Sequence, residues 1–450
     1  MIEVLKDGTP EAARQIDKLL SRSEGSERVA GDVEAILRAV RKGGDSALLR
    51  YTKRFDGVSL SAGELVVSEA ELADAARQVP AEISRALREA HGRIENFHKN
   101  QVEKGFEVRS EGIRLGMRVS AVERAGVYVP GGTAAYPSSV LMNIVPARVA
   151  GVSDITVVTP PSPEGIRPEV LLAAKIAGAD RVVRAGGAQA VAALAYGTET
   201  VPRVDKIVGP GNIWVATAKR LVFGQVDIDM IAGPSEVLII ADTTADPAWV
   251  AADMLAQAEH DPMAAAVCIA TDVKLGAAIA VEVEQQLGEL PRKSIAGKSI
   301  RKYGTILVAQ TVERAADIAN GIAPEHLELF VEKPRALLPC IRNAGAIFLG
   351  HYTTESLGDY AAGPNHVLPT GGAARFSSPL GVYDFVKRTS IIEASRKGFE
   401  KIAPVVEALA LAEGLDGHAL AVTRRLGKPG AGAGPAVKSG GTREKKGKSE

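Results

Sequence analysis

Imidazole and amide side chains gather in the second half of the chain with a spacing that suits metal binding. Seven histidines occur, and five of them follow residue 259. In the segment LAQAEHDP, Gln257 and His260 lie three residues apart, so on a helix they face the same side and could share one metal ion. A polar helix end with an imidazole near its C-terminal dipole is the alternative for this pair.

An acid and an imidazole stand side by side in the segment GIAPEHLELF. Glu325 and His326 directly follow Pro324, where we expect a helix or turn to begin. Adjacent groups of these two kinds can divide two proton transfers, with the carboxylate activating water and the imidazole taking a hydroxyl proton. They can do so only if both enter one cleft, and a surface pair at a helix start is the alternative.

Two further candidates, Asp359 and His418, lie on loops flanked by glycines, where the backbone can approach a ligand or metal closely. Both residue types are also common in ordinary turns. With Gln257 and His260 they form a set of nitrogen and oxygen donors that suits zinc. Neither of the two cysteines has a partner at a spacing that would add a sulfur ligand or a disulfide framework.

Three glycine-rich turns each join a predicted strand to a predicted helix. They begin at Val127 (VYVPGG), Ala185 (AGGAQA) and Gly209 (GPGN). Because the carboxyl ends of parallel strands meet at one sheet edge, the three turns predict a phosphate or dinucleotide site there. Trp214 stands where the dinucleotide fingerprint has its third glycine, so tight turns that need a positive φ are the alternative at each position.

Short β-branched segments alternate with helical segments twice along the chain, over residues 119–229 and again over 236–350. This alternation predicts an α/β fold with two Rossmann-like, doubly wound parallel-sheet domains. Residues 1–118 and 384–425 are predicted to be helical extensions. The segment 350–381 has no sustained periodicity, and a loop of that length inside a compact protein is usually functional or disordered. Its Asp, His, Tyr and Asn residues favour function.

Charge and hydropathy exclude several classes of protein. The 450 residues include 54 Lys and Arg against 54 Asp and Glu, so no nucleic-acid or anionic-membrane partner is expected. No apolar run reaches the ~18 residues of a membrane span, and the N-terminal segment has no apolar signal-peptide core. We therefore expect a cytoplasmic protein.

Longer segments extend these motifs in a fixed order: GVYVPGG, GGAQAVAALAYGT, KIVGPGN, DMIAGPSEVLIIAD, LAQAEHD, APEHLEL, GDYAAGPNHVLPT and GLDGHA. Through them the chain resembles histidinol dehydrogenase, from GGDSALLRYTKRFDG near the N-terminus to about Arg425. The resemblance implies a zinc-dependent four-electron oxidation of L-histidinol to L-histidine through L-histidinaldehyde with two NAD. This reaction is the last step of histidine biosynthesis.

The resemblance also implies a domain organisation. Residues 1–24 would be an N-terminal helical extension, 25–127 with 236–380 a first Rossmann-like domain carrying the metal and catalytic residues, and 128–235 an inserted second Rossmann-like domain that binds NAD. Residues 381–426 would form a small helical domain that completes the active site of a partner, which implies a homodimer with shared active sites. Residues 427–450 fall outside the resemblance. They contain seven glycines and six basic against two acidic residues, so a disordered basic tail is predicted.

Each site residue of the family has a counterpart in this sequence. The implied zinc ligands are Gln257, His260, Asp359 and His418, the last from the partner subunit. The implied acid–base pair is Glu325 and His326, and the implied NAD contacts are Tyr128, Gln189 and Asn212. The implied substrate contacts are Ser235, His366 and Glu413, together with His326 and the four zinc ligands.

Two other functions fit parts of the sequence. A related zinc and NAD dehydrogenase could oxidise another small polar alcohol, such as a sulfonated diol, but the retained His366, Glu413 and His418 favour an imidazole substrate. A binding protein without turnover could use the basic tail on RNA. The intact Glu325 and His326 favour an enzyme instead.

Overall fold

A computed structural model describes residues 2–23, 28–131 and 136–427 of the chain. These residues form two compact units. The first contains the described residues of Met1–Glu103 and Ser120–Lys387, and the second contains those of Lys104–Val119 and Arg388–Glu450. All of the predicted basic tail except Gly427 lies outside the described residues. The domain boundaries implied by the resemblance stay a prediction.

The regular elements of the described residues are numbered in chain order. The strands are β1 (Val4–Lys6), β2 (Phe106–Ser110), β3 (Ile113–Ala121), β4 (Arg124–Tyr128), β5 (Asp154–Thr159), β6 (Arg181–Arg184), β7 (Lys206–Val208), β8 (Asp227–Ile228), β9 (Glu236–Ala241), β10 (Ala265–Ala270), β11 (Thr305–Val308), β12 (His326–Phe330), β13 (Ala346–Leu349) and β14 (Val386–Ala394). The helices are α1 (Pro10–Leu20), α2 (Ala30–Asp56), α3 (Glu69–Gln78), α4 (Ala81–Lys99), α5 (Pro137–Ala150), α6 (Pro168–Ala177), α7 (Gly187–Tyr196), α8 (Ile213–Val222), α9 (Pro247–Ala258), α10 (Val273–Glu289), α11 (Lys293–Tyr303), α12 (Val312–Ile322), α13 (Pro334–Leu337), α14 (Glu355–Tyr360), α15 (Arg396–Ala412) and α16 (Asp416–Thr423). Among these helices, none is long and apolar enough to cross a membrane.

A six-stranded parallel sheet lies in the first unit, with strand order β1-β11-β10-β9-β12-β13. Its central strands β9 (EVLIIA) and β10 (AAVCIA) are buried at every residue. Such continuous runs are typical of strands that are covered on both faces. Apolar side chains of α9, α10 and α11 pack on one face, and those of α1 and α12 pack on the other.

A five-stranded parallel sheet lies in the same unit, with strand order β6-β5-β4-β7-β8. Helices α3 to α6 pack on one face, and α2, α7 and α8 pack on the other. The chain leaves β4 towards β5 and β6 and then returns to β7 on the opposite side of β4. This reversal creates a topological switch point at the carboxyl edge. The predicted α/β fold with parallel sheets is confirmed.

Two of the segments predicted to be helical contain strands instead. In the first, β2 and β3 form an antiparallel hairpin whose turn residues Glu111 and Gly112 have φ values of 54° and 84°. Positive φ at both central residues is what a tight hairpin turn requires. In the second, β14 is a largely exposed strand that lies beside β3, and its β-branched residues favour the extended backbone. The aperiodic segment 350–381 also contains the short helix α14.

A buried ion pair fixes the glycine-rich turn that follows β7. The ammonium of Lys219 pairs with the Asp229 carboxylate, and the two side chains are only 2% and 1% exposed. Lys219 also donates a 2.9 Å hydrogen bond to the Gly209 carbonyl oxygen, and the Gly209 N–H donates to Asp229 at 2.7 Å. Gly209 has a φ of 110°, and a Cβ there would overlap the Tyr128 carbonyl oxygen. The turn therefore depends on both the glycine and the ion pair.

We expect Asp229→Asn to lower the free energy of unfolding by about 3–5 kcal/mol, because it leaves the Lys219 ammonium buried without a countercharge. Urea unfolding followed by circular dichroism measures this loss. The control is Glu34→Gln, which removes a carboxylate from the exposed Arg38–Glu34 pair and should change stability by less than about 0.5 kcal/mol. Equal stability of the two variants would contradict the assignment.

Candidate functional site

The predicted acid–base pair lies at the amino edge of the six-stranded sheet. Glu325 immediately precedes β12, and His326 is the first residue of that strand. The expectation of a helix or turn start after Pro324 is wrong, because the segment HLELF enters the sheet as a buried strand between β9 and β13. The side chains of Glu325 and His326 are 7% and 5% exposed, so they are not a surface pair.

The backbone of a single residue, Glu236, contacts both members of the pair. Glu236 begins β9, the neighbour of β12, and its N–H donates a 3.0 Å hydrogen bond to Glu325 Oε2. Its carbonyl oxygen lies 3.1 Å from Nδ1 of His326. A proton on Nδ1 donated to that carbonyl leaves Nε2 as the basic atom of the imidazole. The first residue of β9 thus positions the acid and selects the tautomer of the base.

The side chain of Glu236 is anchored by a residue from the N-terminal region. Its buried carboxylate forms an ion pair with the guanidinium of Arg22 and accepts a 3.1 Å hydrogen bond from the Gly371 N–H. Arg22 also donates to the carbonyl oxygen of Met263 at 3.0 Å. No sequence pattern marks Arg22 or Glu236, because each is a single charge beside an apolar segment.

Burial and neighbouring charges set the proton affinities of the pair. Burial raises the pKa of the Glu325 carboxyl to about 7, although the charge of His326 opposes part of the shift. Burial alone would lower the pKa of His326, but the charges of Glu355, Glu325 and Asp359 outweigh it and raise that pKa well above its ordinary value. A carboxyl that titrates near neutrality can both accept and release a proton, as acid–base catalysis requires.

The predicted metal ligands Gln257 and His260 meet at the C-terminal end of α9. Gln257 lies in the last turn of the helix and His260 lies just beyond it. Nδ1 of His260 is 3.3 Å from the side-chain Nε2 of Gln257 and 3.3 Å from the backbone oxygen of the same residue. A proton donated from Nδ1 to that oxygen leaves Nε2 of His260 free for a metal, an arrangement typical of ligating histidines.

Asp359, on α14, brings a carboxylate to the same region. Its Oδ1 lies 3.7 Å from Nε2 of His326. Burial would raise the pKa of Asp359, but the contact with His326 and its charge, followed by the electrostatic contributions of His366 and His260, lower it. Asp359 is therefore ionised at neutral pH and lies within electrostatic reach of His326 and of the predicted ligand His260.

These donors fit a metal ion. Oε1 of Gln257 is buried and has no hydrogen-bond partner among the described residues, which is a costly state for an amide oxygen unless a ligand satisfies it. With His260 and Asp359 it offers nitrogen and oxygen donors of the kind that zinc accepts. The fourth predicted ligand, His418, belongs to the second unit, where it is exposed on α16.

A second group of possible ligands overlaps the first. One ligand atom from each of His326, Glu355 and Asp359 lies within 4.8 Å of the others. A metal bound to His326 Nε2 would occupy the atom that acid–base catalysis needs. That atom is buried and has no hydrogen-bond partner among the described residues. The two ligand sets share Asp359 and assign opposite roles to His326.

Three further carboxyls, two buried and one half-buried, lie in this region, and no sequence motif marks them. They belong to Asp253 on α9, Glu328 on β12 and Glu355 on α14. The Glu355 N–H donates to Glu328 Oε1 at 2.7 Å, and the Thr354 hydroxyl donates to Asp253 Oδ1 at 2.8 Å. Burial raises the pKa of Glu355 to about 8 and also raises the pKa values of Glu328 and Asp253. A nearby cation would favour the ionised forms of these carboxyls.

Three predicted substrate contacts are neither metal ligands nor members of the acid–base pair. Two of them lie at this site, and the third lies in the other unit. Ser235 immediately precedes Glu236. His366 is held by the Asp359 carbonyl oxygen, 2.8 Å from its Nδ1, and burial lowers its pKa, so the imidazole is neutral near pH 7. Glu413 belongs to the second unit, where it is exposed and immediately follows α15.

A cavity of about 400 Å³ lies at the carboxyl edge of the five-stranded sheet. The structure brings the three predicted NAD contacts, Tyr128, Gln189 and Asn212, together on its wall. All three glycine-rich turns take part, and the remaining lining residues are Ile36, Phe55, Asp56, Pro130, Gly131, Pro160, Gly187, Ala188 and Trp214. The cavity therefore occupies the switch point at which α/β folds bind nucleotides.

Local contacts hold the three turns in place around the cavity. The Gly187 N–H donates a 3.0 Å hydrogen bond to the Tyr128 hydroxyl, and burial raises the pKa of that hydroxyl to about 12. Asn212 caps α8 by accepting hydrogen bonds from the first N–H groups of the helix. The side-chain Nε2 of Gln189 is buried without a hydrogen-bond partner among the described residues, so it can donate to a ligand.

The fold and the site together define a class of protein: an α/β enzyme with a buried acid–base pair and a cavity at the switch point of a parallel sheet. The family model for histidinol dehydrogenase matches residues 20–426. Histidinol dehydrogenase of Aquifex aeolicus is 54% identical over 427 residues, which cover 94% of this chain and 99% of that protein. Histidinol dehydrogenase of Syntrophotalea carbinolica is 52% identical over 428 residues, which cover 95% of this chain and 99% of that protein.

A solved structure is similar as well. The crystal structure of histidinol dehydrogenase from Elizabethkingia anophelis has 38% identity and a TM-score of 0.89, and the match covers 95% of this chain and 98% of that one. The chain therefore belongs to the histidinol dehydrogenase family, so it is an oxidoreductase of histidine biosynthesis. The resemblance stated from the motifs is confirmed. The roles of individual residues stay predictions.

The raised pKa of Glu325 predicts how stability depends on pH. Its pKa is about 7 in the folded chain against 4.5 for the free group, so its contribution to stability is complete below about pH 4.5 and is lost as the pH rises through 7. The loss lowers the free energy of unfolding by about 3 kcal/mol as the pH rises. Glu325→Gln stays neutral, so this decline with pH should be absent from that variant.

The free energy of unfolding of chelator-treated protein, measured between pH 5 and 8, checks this expectation. Chelation matters because a bound cation would change the same pKa values. The matched control is Glu332→Gln, which removes an exposed carboxyl and should leave the decline unchanged. A decline of the same size in Glu325→Gln and in the wild type would contradict the assignment.

Proposed function

We propose that this chain oxidises L-histidinol to L-histidine through L-histidinaldehyde, with zinc bound at the site and two NAD reduced in turn. The observation that carries the proposal is the double contact of the Glu236 backbone with Glu325 and His326. A four-electron oxidation needs one group that takes a hydroxyl proton and one that activates water. A buried imidazole and a buried carboxyl at one strand start meet both needs.

Zinc is proposed to bind Gln257, His260 and Asp359, with His418 of the partner subunit as the fourth ligand. When bound, zinc would hold the amine and the imidazole of histidinol and so orient the alcohol carbon. The partnerless Oε1 of Gln257 supports this assignment. NAD is proposed to bind the 400 Å³ cavity and to accept the hydride, with Tyr128, Gln189 and Asn212 as its contacts.

In the first oxidation, His326 would act as the base. Its Nε2 would take the hydroxyl proton as the C–H bond breaks and a C=O bond forms, and NAD, when bound, would be the acceptor of the hydride. The Nδ1 contact with the Glu236 carbonyl supports this role, because it makes Nε2 the ring atom that can exchange a proton with the substrate.

In the second oxidation, Glu325 would activate water. Its carboxylate would accept a proton as the water oxygen bonds to the aldehyde carbon, which leaves the hydrate as an anion. Loss of hydride from that anion would give the carboxylic acid, and the second NAD would be the hydride acceptor. A pKa near 7 supports the role, because such a carboxyl is ionised in a large fraction of molecules at neutral pH and is still basic enough to take the proton.

The remaining contacts would hold the substrate and join two subunits. Ser235 and the neutral His366 are proposed to contact histidinol from one subunit, and Glu413 with His418 from the other. The exposure of Glu413 and His418 on the second unit supports this proposal, because both side chains are available to another surface. The proposal therefore includes a homodimer with shared active sites. Histidine biosynthesis also agrees with a cytoplasmic location.

The number of NADH formed per L-histidinol consumed tests the proposed reaction. Purified protein with zinc and excess NAD should give about two NADH per substrate. Activity should be lost after chelation and return with zinc. Formation of one NADH with release of the aldehyde, or turnover only on an alcohol that has no imidazole, would contradict the proposal and favour the related polar-alcohol dehydrogenase.

Separate assays of the two half-reactions test the division of roles. With Glu325→Gln, oxidation of L-histidinaldehyde should slow by about 10²–10⁴-fold, whereas oxidation of L-histidinol to the aldehyde in a single turnover should slow by less than about 10-fold. The matched variant is His326→Asn, which should slow the first step strongly. Equal losses of both steps in Glu325→Gln would be inconsistent with these roles.

A further inference from the structure

One carboxylate on the wall of the 400 Å³ cavity has no part in the site described so far. Asp56 is the last residue of α2 and is the only acidic or basic residue among the described residues that line the cavity. Its Oδ2 is buried and has no hydrogen-bond partner among the described residues. Burial raises the pKa of this carboxyl to about 6, so it is largely ionised at pH 7.5.

Both the helix position and the desolvation of Asp56 disfavour its charged form. A negative charge in the last turn of a helix faces the negative end of the helix dipole, and burial without a partner adds a desolvation cost. The neighbouring guanidinium of Arg54 lies 5.3 Å over the ring of Phe55 and does not line the cavity. Buried polar groups without partners in native proteins usually have a ligand or a functional reason.

Asp56 brings to this cavity a carboxylate that the strand ends of the five-stranded sheet do not supply among the described lining residues. In dinucleotide-binding folds, an acidic residue after the second strand binds the adenosine ribose. Here the second strand of the sheet is β5, which ends at Thr159, and the residue that continues from it into the cavity wall is Pro160. The carboxylate on this wall comes instead from α2, which packs on the face of the sheet that carries α7 and α8.

We propose that the Asp56 carboxylate binds the 2′ and 3′ hydroxyls of the adenosine ribose of NAD and so makes the enzyme select NAD over NADP. This inference rests on the proposed use of NAD. Two vicinal hydroxyls can donate to the two oxygens of one carboxylate, whereas a 2′-phosphate would be repelled by it. Among the described lining residues there is no lysine or arginine that could compensate a 2′-phosphate.

A flat aromatic surface next to Asp56 agrees with an adenosine at this position. The ring of Phe55 is 50% exposed, lines the cavity and stacks on Tyr51 with a centroid distance of 5.6 Å. A half-exposed ring that is held from behind suits stacking of a base. The base and the ribose of one nucleoside would thus contact two consecutive residues at the end of α2.

Asp56→Asn tests the selection of the cofactor. We expect kcat/KM for NAD to fall by about 10–100-fold, because a charged hydrogen-bond acceptor is replaced by a neutral group. The value for NADP should stay the same or rise, so the preference for NAD collapses. The matched control is Asp32→Asn, which removes an exposed carboxylate from the first turn of the same helix and should leave both values unchanged. An unchanged ratio of the two values in Asp56→Asn would overturn the inference.

Removing the 2′ hydroxyl of the adenosine ribose from NAD tests its contact with the Asp56 carboxylate. By calorimetry, wild-type protein should bind NAD that lacks the 2′ hydroxyl of its adenosine ribose (2′-deoxy-NAD) about 10-fold more weakly than NAD. Asp56→Asn should bind the two ligands about equally, because removing either partner of one contact already removes the whole contact. The same loss in both proteins would overturn the inference. If Asp56→Asn does not fold, equal affinity of the wild type for NAD and 2′-deoxy-NAD overturns it alone.

These measurements separate this inference from the proposed function. If the wild type reduces NAD with histidinol but Asp56→Asn keeps the wild-type preference, only the inference about Asp56 fails. If the wild type does not oxidise histidinol, the proposed function fails, and the calorimetric comparison of NAD, NADP and 2′-deoxy-NAD still decides the role of Asp56.

Discussion

The geometry of the acid–base pair depends on the register between two parallel strands. Glu236 can contact both Glu325 and His326 only because β12 pairs with β9 so that His326 lies opposite Val237. A slip of one residue would turn every side chain of a strand to the other face, and both strands are buried throughout. The apolar core of the six-stranded sheet therefore fixes the geometry of the proposed acid–base pair. The Arg22–Glu236 ion pair connects the N-terminal region to the same site.

The two sheets of the first unit present opposite edges to their ligands. The cavity lies at the carboxyl edge of the five-stranded sheet, where glycine-rich turns and helix N-termini favour anionic phosphates. The acid–base pair and the metal-ligand candidates lie at the amino edge of the six-stranded sheet, at strand starts and at the C-terminal end of α9. The negative end of a helix dipole favours a cation, which agrees with metal ligands at Gln257 and His260. Each edge thus offers the charge that its proposed ligand requires.

Sequence patterns predict the parts of this structure that local physics determines. Continuous apolar runs identify the central strands, and the three glycine-rich turns are correctly expected at one sheet edge. The sequence does not reveal the strand start at His326, because Pro324 followed by an acid is equally typical of a helix start. The contacts of Glu236 with Glu325 and of Arg22 with Glu236 span 89 and 214 residues, so no local pattern carries them. No local pattern marks Asp56 either, because an acidic residue before a glycine at a helix end is usually an exposed charge. Its place on the cavity wall is evident only from the structure.

The central claim is that His326 keeps Nε2 free as a base while other side chains hold the metal. Anomalous diffraction at the zinc edge from crystals of zinc-loaded protein tests it most directly. We expect one zinc peak within about 2.0–2.2 Å of donor atoms of Gln257, His260, Asp359 and His418 of the partner subunit, with Nε2 of His326 outside ligand distance. A peak bonded to His326 Nε2 and Glu355, with Gln257 and His260 free, would contradict it, because the imidazole would then be a ligand and could not accept the hydroxyl proton.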